Sequence, residues 1–213
     1  MGTVLGGSVS YFLQKRALKA TKAQRDEDRF EIRKALGFSL FYKMIQISSE
    51  LNNSAVAISG SIEAGRKAGL TDLYQVVQPV VPIADKVKFS AEEMALVLSV
   101  DPKLFNEIAA LDNLHNSTVT LFELYLSRRT SVFERFGATM SGSIGTTGLT
   151  ESEKNWLAPR AFELNGVADA MFRQARDGAK RTWKAMELLH AMLERDFGLK
   201  QRLERDPNVP AAS

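Results

Sequence analysis

Large apolar residues recur at helical spacing along most of the chain, and the first such row lies in its N-terminal third. Between residues 30 and 62 the steps are mainly seven, three and four, which keeps one face of a helix turned toward a partner. Only Gly37 interrupts the run of helix-compatible residues, so one continuous helix of about 50 residues or more is predicted, ending within 60–69. The row consists of Phe30, Gly37, Leu40, Met44, Ile47, Leu51, Ala55, Ile58 and Ile62.

Two capping signals predict the next two helices. Ser90 and Glu93 form a capping box that starts a short helix through about residue 99. Asp101 as N-cap, followed by Pro102 at the first helical position, starts a long helix that runs to about residue 136. The predicted buried face of this long helix consists of Leu104, Phe105, Ile108, Leu111, Leu114, Leu121, Leu124 and Tyr125.

The C-terminal third predicts one more long helix. Thr150 and Glu153 form a second capping box, and Pro159 is expected to kink the helix or to restart it within a turn or two. From there a wide apolar face continues to about residue 197. Its members are Phe162, Leu164, Val167, Ala168, Met171, Phe172, Ala175, Trp183, Met186, Leu189, Leu193 and Phe197.

The stretches between these helices lack the alternation that is typical of strands. Residues 137–148 contain four glycines and predict a flexible linker, and Pro79 discourages sheet pairing in the brief apolar run near Tyr74. The predicted fold class is therefore all-α, with a long N-terminal amphipathic helix running into a three- or four-helix bundle, in which a short piece around 70–77 would be the fourth helix. We divide the chain into a short apolar segment at 1–13, a charged helical stalk at 14–34, the bundle at 35–200 and a disordered tail at 201–213.

Charge is distributed unevenly, although the overall balance of +3 is mild. Residues 14–34 contain 12 charged residues, and a helix that is polar all round is expected to be solvated. No acidic residue precedes Asp26, whereas several lysines and arginines follow directly on the uncharged N-terminal segment. Such a cluster suits anionic lipid headgroups. The residues expected to contact the membrane surface are Lys15, Arg16, Lys19 and Lys22.

The uncharged residues 1–13 resemble part of a membrane anchor. They combine Gly2 and Gly6 at small-xxx-small spacing with an aromatic pair, Tyr11 and Phe12, just before the basic cluster. A bilayer span needs about 20 apolar residues, and a signal peptide carries its positive charge first. The pattern favours the cytoplasmic end of a short anchor, at the inner (cytoplasmic) membrane with the C-terminal domain in the cytoplasm. The alternative is a frayed extension on a soluble protein.

In outline, the first 35 residues are similar to small bacterial single-pass membrane proteins, which share a glycine-containing apolar turn, a Gln-Lys-Arg step and a long charged helix. The similarity is compositional, so it implies membrane attachment and no particular functional residue. It does not extend to the remainder of the chain.

Both histidines follow an acidic residue by three positions on a predicted helix. Asp112 precedes His115 and Glu187 precedes His190, the spacing that di-iron bundle proteins use for metal ligands. One pair has Asp in place of Glu, and the surroundings of Asp112 are typical of an exposed helix face. A bundle metalloprotein is therefore the alternative function. The candidate bridging carboxylates are Glu50, Glu63 and Glu163.

Several function classes are excluded or disfavoured by what the chain contains. It has no cysteine, which excludes disulfides, thiolate catalysis and cysteine-ligated zinc. The glycines of 137–148 lack the Lys-Ser/Thr ending of a P-loop, and no glycine-flanked nucleophile accompanies the histidines. The basic clusters are interleaved with acids and belong to no recognisable nucleic-acid-binding module, so no nucleic-acid partner and no cofactor are expected.

These observations lead to one interpretation of function. The chain is expected to be a non-catalytic, membrane-associated helical interaction or scaffold protein, which forms a homo-oligomer or binds a protein partner through coiled-coil-like helix contacts. The residues expected to carry self-association are Leu40, Met44, Ile47, Leu51 and Ile58.

Overall fold

Helices form nearly all of the regular structure of this chain. The computed structural model describes residues 3–78, 83–136, 139–141, 144–146 and 148–204, with side chains placed at 14–78, 83–136 and 148–204. The predicted all-α class, with a long N-terminal helix running into a bundle, is confirmed. The elements are α1 (Thr3–Lys67), α2 (Leu73–Val76), α3 (Ala91–Val100), α4 (Pro102–Arg135), β1 (Thr139–Ser141), β2 (Ile144–Thr146) and α5 (Glu151–Phe197).

The N-terminal helix is much longer than a typical globular helix. It contains 65 residues, which corresponds to a length of roughly 100 Å. It ends at Lys67, within the predicted region, and Gly69 follows with a φ of +77°, a left-handed conformation that suits glycine. Residues 14–33 are exposed on every side, so only the second half of α1 packs against the bundle.

The capping signals of the later helices are confirmed by their hydrogen bonds. The backbone N–H of Glu93 donates to Ser90 Oγ at 3.1 Å, and the backbone N–H of Ser90 donates to Glu93 Oε2 at 2.6 Å. Asp101 Oδ1 accepts from the first backbone N–H groups of α4 at 2.9 and 3.0 Å. Thr150 and Glu153 form the second capping box. These signals are local, which is why the sequence alone predicts them.

One continuous α5 contains Pro159. The helix is not restarted there, and the proline removes one backbone donor from its third turn. The helix ends at Phe197, and its C-cap Gly198 has a left-handed φ of +67° and donates its N–H to the carbonyl of Glu194 at 3.1 Å.

Side-chain contacts give the directions of the three long helices. Arg181 of α5 pairs with Glu107 of α4, and Arg128 of α4 pairs with Glu163 of α5, so these two helices are antiparallel. The ring of Phe197 lies 5.7 Å from that of Phe30, whereas Gly178 lies beside Leu51 further along α1. Helix α5 is therefore antiparallel to both α1 and α4, and those two run parallel to each other.

Parallel α1 and α4 require a connection that crosses the length of the bundle, and residues 68–101 supply it. Helix α2 packs against α1 and α5 at one end, where Asn165 Oδ1 accepts from the backbone N–H of Tyr74 at 2.9 Å. Helix α3 packs against α1 and α4 at the other end. The two short helices therefore close opposite ends of the bundle, and the predicted short helix around 70–77 is confirmed.

The predicted apolar row of α1 lies in the core of the chain itself. Its six central members are at most 2% exposed and pack mainly toward α5. A side chain without exposed surface cannot contact a second copy in this fold. The row therefore has an intramolecular partner, and residues expected to carry self-association have no surface left for it. They are Leu40, Met44, Ile47, Leu51 and Ile58.

Two predicted core residues lie at the surface instead. Phe162 is 82% exposed and Leu124 is 39% exposed. On α4, the predicted residues Leu104, Ile108, Leu111 and Tyr125 are buried, and Phe122 takes the place expected of Leu124. The buried face also includes His115 and Thr118, two polar residues that a count of apolar positions misses.

A short antiparallel hairpin interrupts the predicted linker 137–148. Thr139 pairs with Thr146, and Ser141 pairs with Ile144. Three of these four residues are β-branched, and their restricted side chains favour extended backbone. The glycine content of residues 137–148 predicted a flexible linker and did not reveal this hairpin.

In the part of the chain that the structure describes, no helix combines the length and hydropathy that a bilayer span requires. The side chains of 1–13 lie outside the described residues, and so do residues 205–213, on which most of the predicted disordered tail falls.

Candidate functional site

A cavity of about 660 Å³ lies along the seam between α1 and α4. These two parallel helices both pack on α5 but touch each other little. Residues 83–85, in the stretch between α2 and α3, line the cavity together with the two helices. The lining consists of Gln46, Glu50, Leu51, Asn53, Ser54, Ala57, Ile83, Ala84, Asp85, His115, Thr118, Val119 and Phe122.

A carboxylate–imidazole pair lies in the wall of this cavity. His115 on α4 is 1% exposed, and its Nε2 donates to Glu50 Oε2 on α1 at 2.5 Å. The other oxygen, Oε1, accepts from Gln46 Nε2 at 3.1 Å. The carboxylate side chain keeps 24% of its surface exposed. The pair therefore ties the two parallel helices together while leaving part of Glu50 open to the cavity.

The second nitrogen of His115 faces a fixed oxygen. Asn116 Nδ2 donates to the backbone carbonyl of Val87 at 3.0 Å and to Asp112 Oδ1 at 2.9 Å. These two bonds orient the amide so that its Oδ1 lies 3.4 Å from His115 Nδ1. Both ring nitrogens therefore face oxygen atoms, and the imidazole is held in one orientation.

Asp112 supports this pair indirectly, because its Oδ1 accepts a hydrogen bond from the Asn116 amide that faces His115. Burial raises the pKa of Asp112 above its ordinary value, and the hydrogen bond from Asn116 offsets that effect only in part. The surroundings of Asp112 were expected to be an exposed helix face, and that expectation is wrong because His115 beside it is buried. The missed signal was spacing, since His115 follows the buried Leu111 by four residues.

The second acid–histidine pair lies elsewhere in the bundle. Glu187 Oε1 accepts from Trp183 Nε1 at 2.7 Å, and His190 Nε2 contacts the backbone carbonyl of Gln201 at 2.6 Å. Since Thr118 of α4 contacts Gln174 of α5, His190 lies roughly 20 Å further along the axis than His115. The structure does not bring the two pairs together.

The candidate bridging carboxylates do not converge either. Glu163 pairs with Arg128 at 3.4 Å, and Glu63 pairs with Lys67 at 2.7 Å. Of the three, only Glu50 meets one of the histidines. Within the described residues, no group of three or more histidine, aspartate or glutamate side chains is placed to hold a metal ion.

The basic residues of the N-terminal stalk are all presented to solvent. The side chains of Lys15, Arg16, Lys19 and Lys22 are exposed. At 100° per residue, Lys15, Lys19 and Lys22 fall within about 60° of one another around the helix axis. This arrangement forms a basic row on one side of α1, with Arg16 beside it. The residues Lys15, Arg16, Lys19 and Lys22 are called the basic band below.

A second apolar row runs along α1 on the side opposite to its buried row. Phe38, Tyr42 and Ile45 are 36%, 70% and 37% exposed, and Ala35 precedes them in the same row. The steps of three, four and three are those of a coiled-coil seam. These four residues are called the outer row below. They were not singled out from the sequence, because the stronger inner row on the same helix dominates the pattern.

Comparisons with known proteins add no family to this description. The sequence matches no protein-family model, and neither the curated proteins nor the solved structures provide a match.

Proposed function

We propose that this protein is a non-catalytic helical scaffold that attaches to the cytoplasmic face of the inner membrane through the N-terminal end of α1. The observation that supports the proposal is the continuity of α1. One unbroken helix joins the uncharged N-terminal segment, the exposed basic band and the buried row of the bundle. The attachment point and the core are therefore parts of a single rigid element.

Charge supplies a large part of the proposed attachment. A lysine or arginine near an anionic leaflet contributes about 1 kcal/mol, so the four residues of the basic band contribute about 4 kcal/mol at low salt. The uncharged segment before the band adds the burial of its apolar residues at the headgroup boundary. Gly37, the first buried residue among 14–67 of α1, follows Arg16 by about 30 Å along the helix, so the bundle would stand clear of the lipid surface.

The attachment is tested by vesicle flotation of the full chain. We expect it to float with vesicles of phosphatidylcholine and phosphatidylglycerol, and to do so less with phosphatidylcholine alone or at high salt. Replacing Lys15, Arg16, Lys19 and Lys22 by Gln should weaken binding to the anionic vesicles at least tenfold. The matched control replaces four exposed lysines of the bundle, Lys103, Lys180, Lys184 and Lys200, by Gln. Equal losses in both variants, or no binding by the unmodified chain, would refute attachment through the stalk.

The partner in this proposal is a second copy of the chain, docked through the outer row. A parallel pair of α1 helices would bring identical outer rows face to face and would keep both basic bands at one membrane surface. Tyr42 supplies the most exposed aromatic side chain of that row. This arrangement retains the expectation of self-association while moving it from the inner row to the outer one.

Sedimentation velocity over a range of concentrations tests the docking. Tyr42→Glu should shift the chain toward the monomer, because it places a charge in an apolar contact between copies. Leu18→Glu is the control, since Leu18 is 72% exposed on the same helix but lies outside the outer row. A monomeric unmodified chain at all concentrations, or an equal effect of both substitutions, would contradict docking through this face.

A further inference from the structure

We infer that the cavity between α1 and α4 is a binding site for an amphipathic organic amine, a ligand with one ammonium group on an apolar body. The inference is independent of membrane attachment and of self-association. It rests on three properties of the cavity, which are its size, the sign of its charge and the separation of its polar and apolar walls.

The size of the cavity suits a small organic ligand. Small-molecule sites typically enclose about 300–1,000 Å³, and this cavity has a volume of about 660 Å³. Leu51, which lines the cavity, is 1% exposed, so the cavity borders directly on the core. The space lies on the seam between α1 and α4, and residues 83–85 line it from the stretch between α2 and α3.

The polar groups of the lining favour a cation. Glu50 and Asp85 supply carboxylates, and among the described lining residues there is no lysine or arginine. A carboxylate oxygen accepts about two hydrogen bonds. Each oxygen of Glu50 receives one, from His115 and from Gln46 respectively, so both retain acceptor capacity toward the open side.

The imidazole of His115 positions Glu50. Its Nε2 is directed to Glu50 and its Nδ1 faces Asn116 Oδ1, so neither nitrogen points to a ligand. The ring holds the carboxylate at the cavity wall, and Gln46 holds it from the other side. A carboxylate fixed from two directions loses little conformational entropy when it binds an ammonium group.

The remaining walls are apolar and suit the body of such a ligand. Val119 and Phe122 line the cavity from α4, Leu51 and Ala57 line it from α1, and Ile83 lines it from the stretch between α2 and α3. These side chains bury an aromatic or aliphatic body, while the charged group reaches Glu50. The carboxylates of Glu50 and Asp85 would repel an anionic ligand, so the site selects amines over acids of the same shape.

Isothermal titration of the full chain with three probes of the same shape tests the inference. Tryptamine carries an ammonium group, tryptophol a hydroxyl and indole-3-propionate a carboxylate. We expect tryptamine to bind at least tenfold more tightly than tryptophol, and indole-3-propionate to show no binding. Glu50→Gln should weaken tryptamine at least tenfold and leave tryptophol unchanged, whereas Glu27→Gln in the exposed stalk should change neither.

A second variant keeps the test decisive if Glu50→Gln fails to fold. Ala57 lies at the surface edge of the cavity, so Ala57→Trp should fill the space without disturbing the core and should abolish binding of every probe. The inference is overturned if tryptamine does not bind, if the three probes bind equally, or if folded Ala57→Trp binds tryptamine as the unmodified chain does.

Discussion

The most heavily buried carboxylate of the described residues is Glu93, which is 2% exposed. Burial alone would raise the pKa of Glu93, but hydrogen bonds from Lys43 Nζ at 2.7 Å, Ser39 Oγ at 2.6 Å and the backbone N–H of Ser90 outweigh it. The pKa of Glu93 is therefore lowered from its ordinary value of 4.5. One side chain thus caps α3 and also ties α3 to α1.

Because the pKa of Glu93 is lowered in the folded state, ionised Glu93 stabilises the fold more at neutral pH than at acidic pH. The stabilisation by ionised Glu93 is present above pH 4.5, the ordinary value, and is lost as the pH falls through the folded-state pKa. Glu93→Gln should lower the free energy of unfolding by about 2–3 kcal/mol at pH 7. In this variant the free energy of unfolding should also fall less steeply as the pH drops through the folded-state pKa of Glu93. Urea unfolding at pH 7, 4 and 3 measures both effects. Glu27→Gln is the control, and an unchanged acid limb in the Glu93 variant would contradict this role.

At the scale of single residues, the sequence predicts what neighbours in the chain determine. Ser90, Asp101 and Thr150 cap their helices as predicted because each contacts backbone groups two or three positions away. The contact between Glu50 and His115 joins positions 65 residues apart. It depends on the register between two helices, which a single sequence does not specify, so Glu50 was only one of three candidate carboxylates.

At the scale of elements, the contact between α1 and α2 is closer than any side chain would allow. A Cβ on Gly65 would overlap Val76 Cγ1 and lie 2.5 Å from Val76 Cβ, whereas a Cβ on Gly60 would meet nothing within 4 Å. Gly65→Ala should therefore lower the free energy of unfolding by about 1–3 kcal/mol through overlap. Gly60→Ala should raise it by about 0.5–1 kcal/mol through helix propensity.

Urea unfolding followed by circular dichroism at 222 nm compares these two alanine variants. Both changes add the same methyl group to the same helix, so helix propensity cancels in the difference between the two variants. That difference then measures the overlap with Val76 alone. Shifts in the same direction would mean that α2 does not pack on Gly65 in solution.

The lengths of the helices were predictable, whereas their buried faces were predictable only in part. Periodicity extends over many residues and the caps mark single positions at the ends, so together they identify the ends of α4 and α5 within one or two positions. Most of the predicted face of α4 is buried, but the prediction included the exposed Leu124 and missed the polar residues His115 and Thr118. The small hairpin of β1 and β2 was missed because glycine content outweighed its β-branched residues.

At the scale of the whole molecule, the first helical turns of α1 lie outside the bundle. Among the side chains that the structure describes, Phe30 is the first with a ring contact to the core, 5.7 Å from Phe197. Removing residues 1–27 should therefore leave the thermal unfolding midpoint of the bundle within about 2 °C, since exposed positions contribute little. Circular dichroism melts measure the midpoint, and sedimentation velocity should show a smaller frictional ratio. A large fall in the midpoint would show that the stalk packs on the bundle in solution.

The architecture of the whole molecule was predicted to the level of a bundle and no further. An apolar row such as that of α1 requires a partner, but its composition does not say whether the partner is α5 or a second copy. The structure answers that question for the inner row, which lies against α5. The antiparallel course of α5 and the crossing segment 68–101 depend on contacts between distant residues, which periodicity does not encode.

Because α1 is one uninterrupted helix, the number of residues in it fixes how far one end is rotated relative to the other. Because no break separates the basic band from the core, adding one residue between positions 23 and 24 would turn the two ends by about 100° relative to each other, whereas adding seven would bring them back within about 20°. The angular phase of the bundle relative to whatever holds its N-terminal end is thus set by the number of residues in the exposed stretch. Under the proposed membrane attachment, the length of the stalk in residues therefore matters as much as its charge.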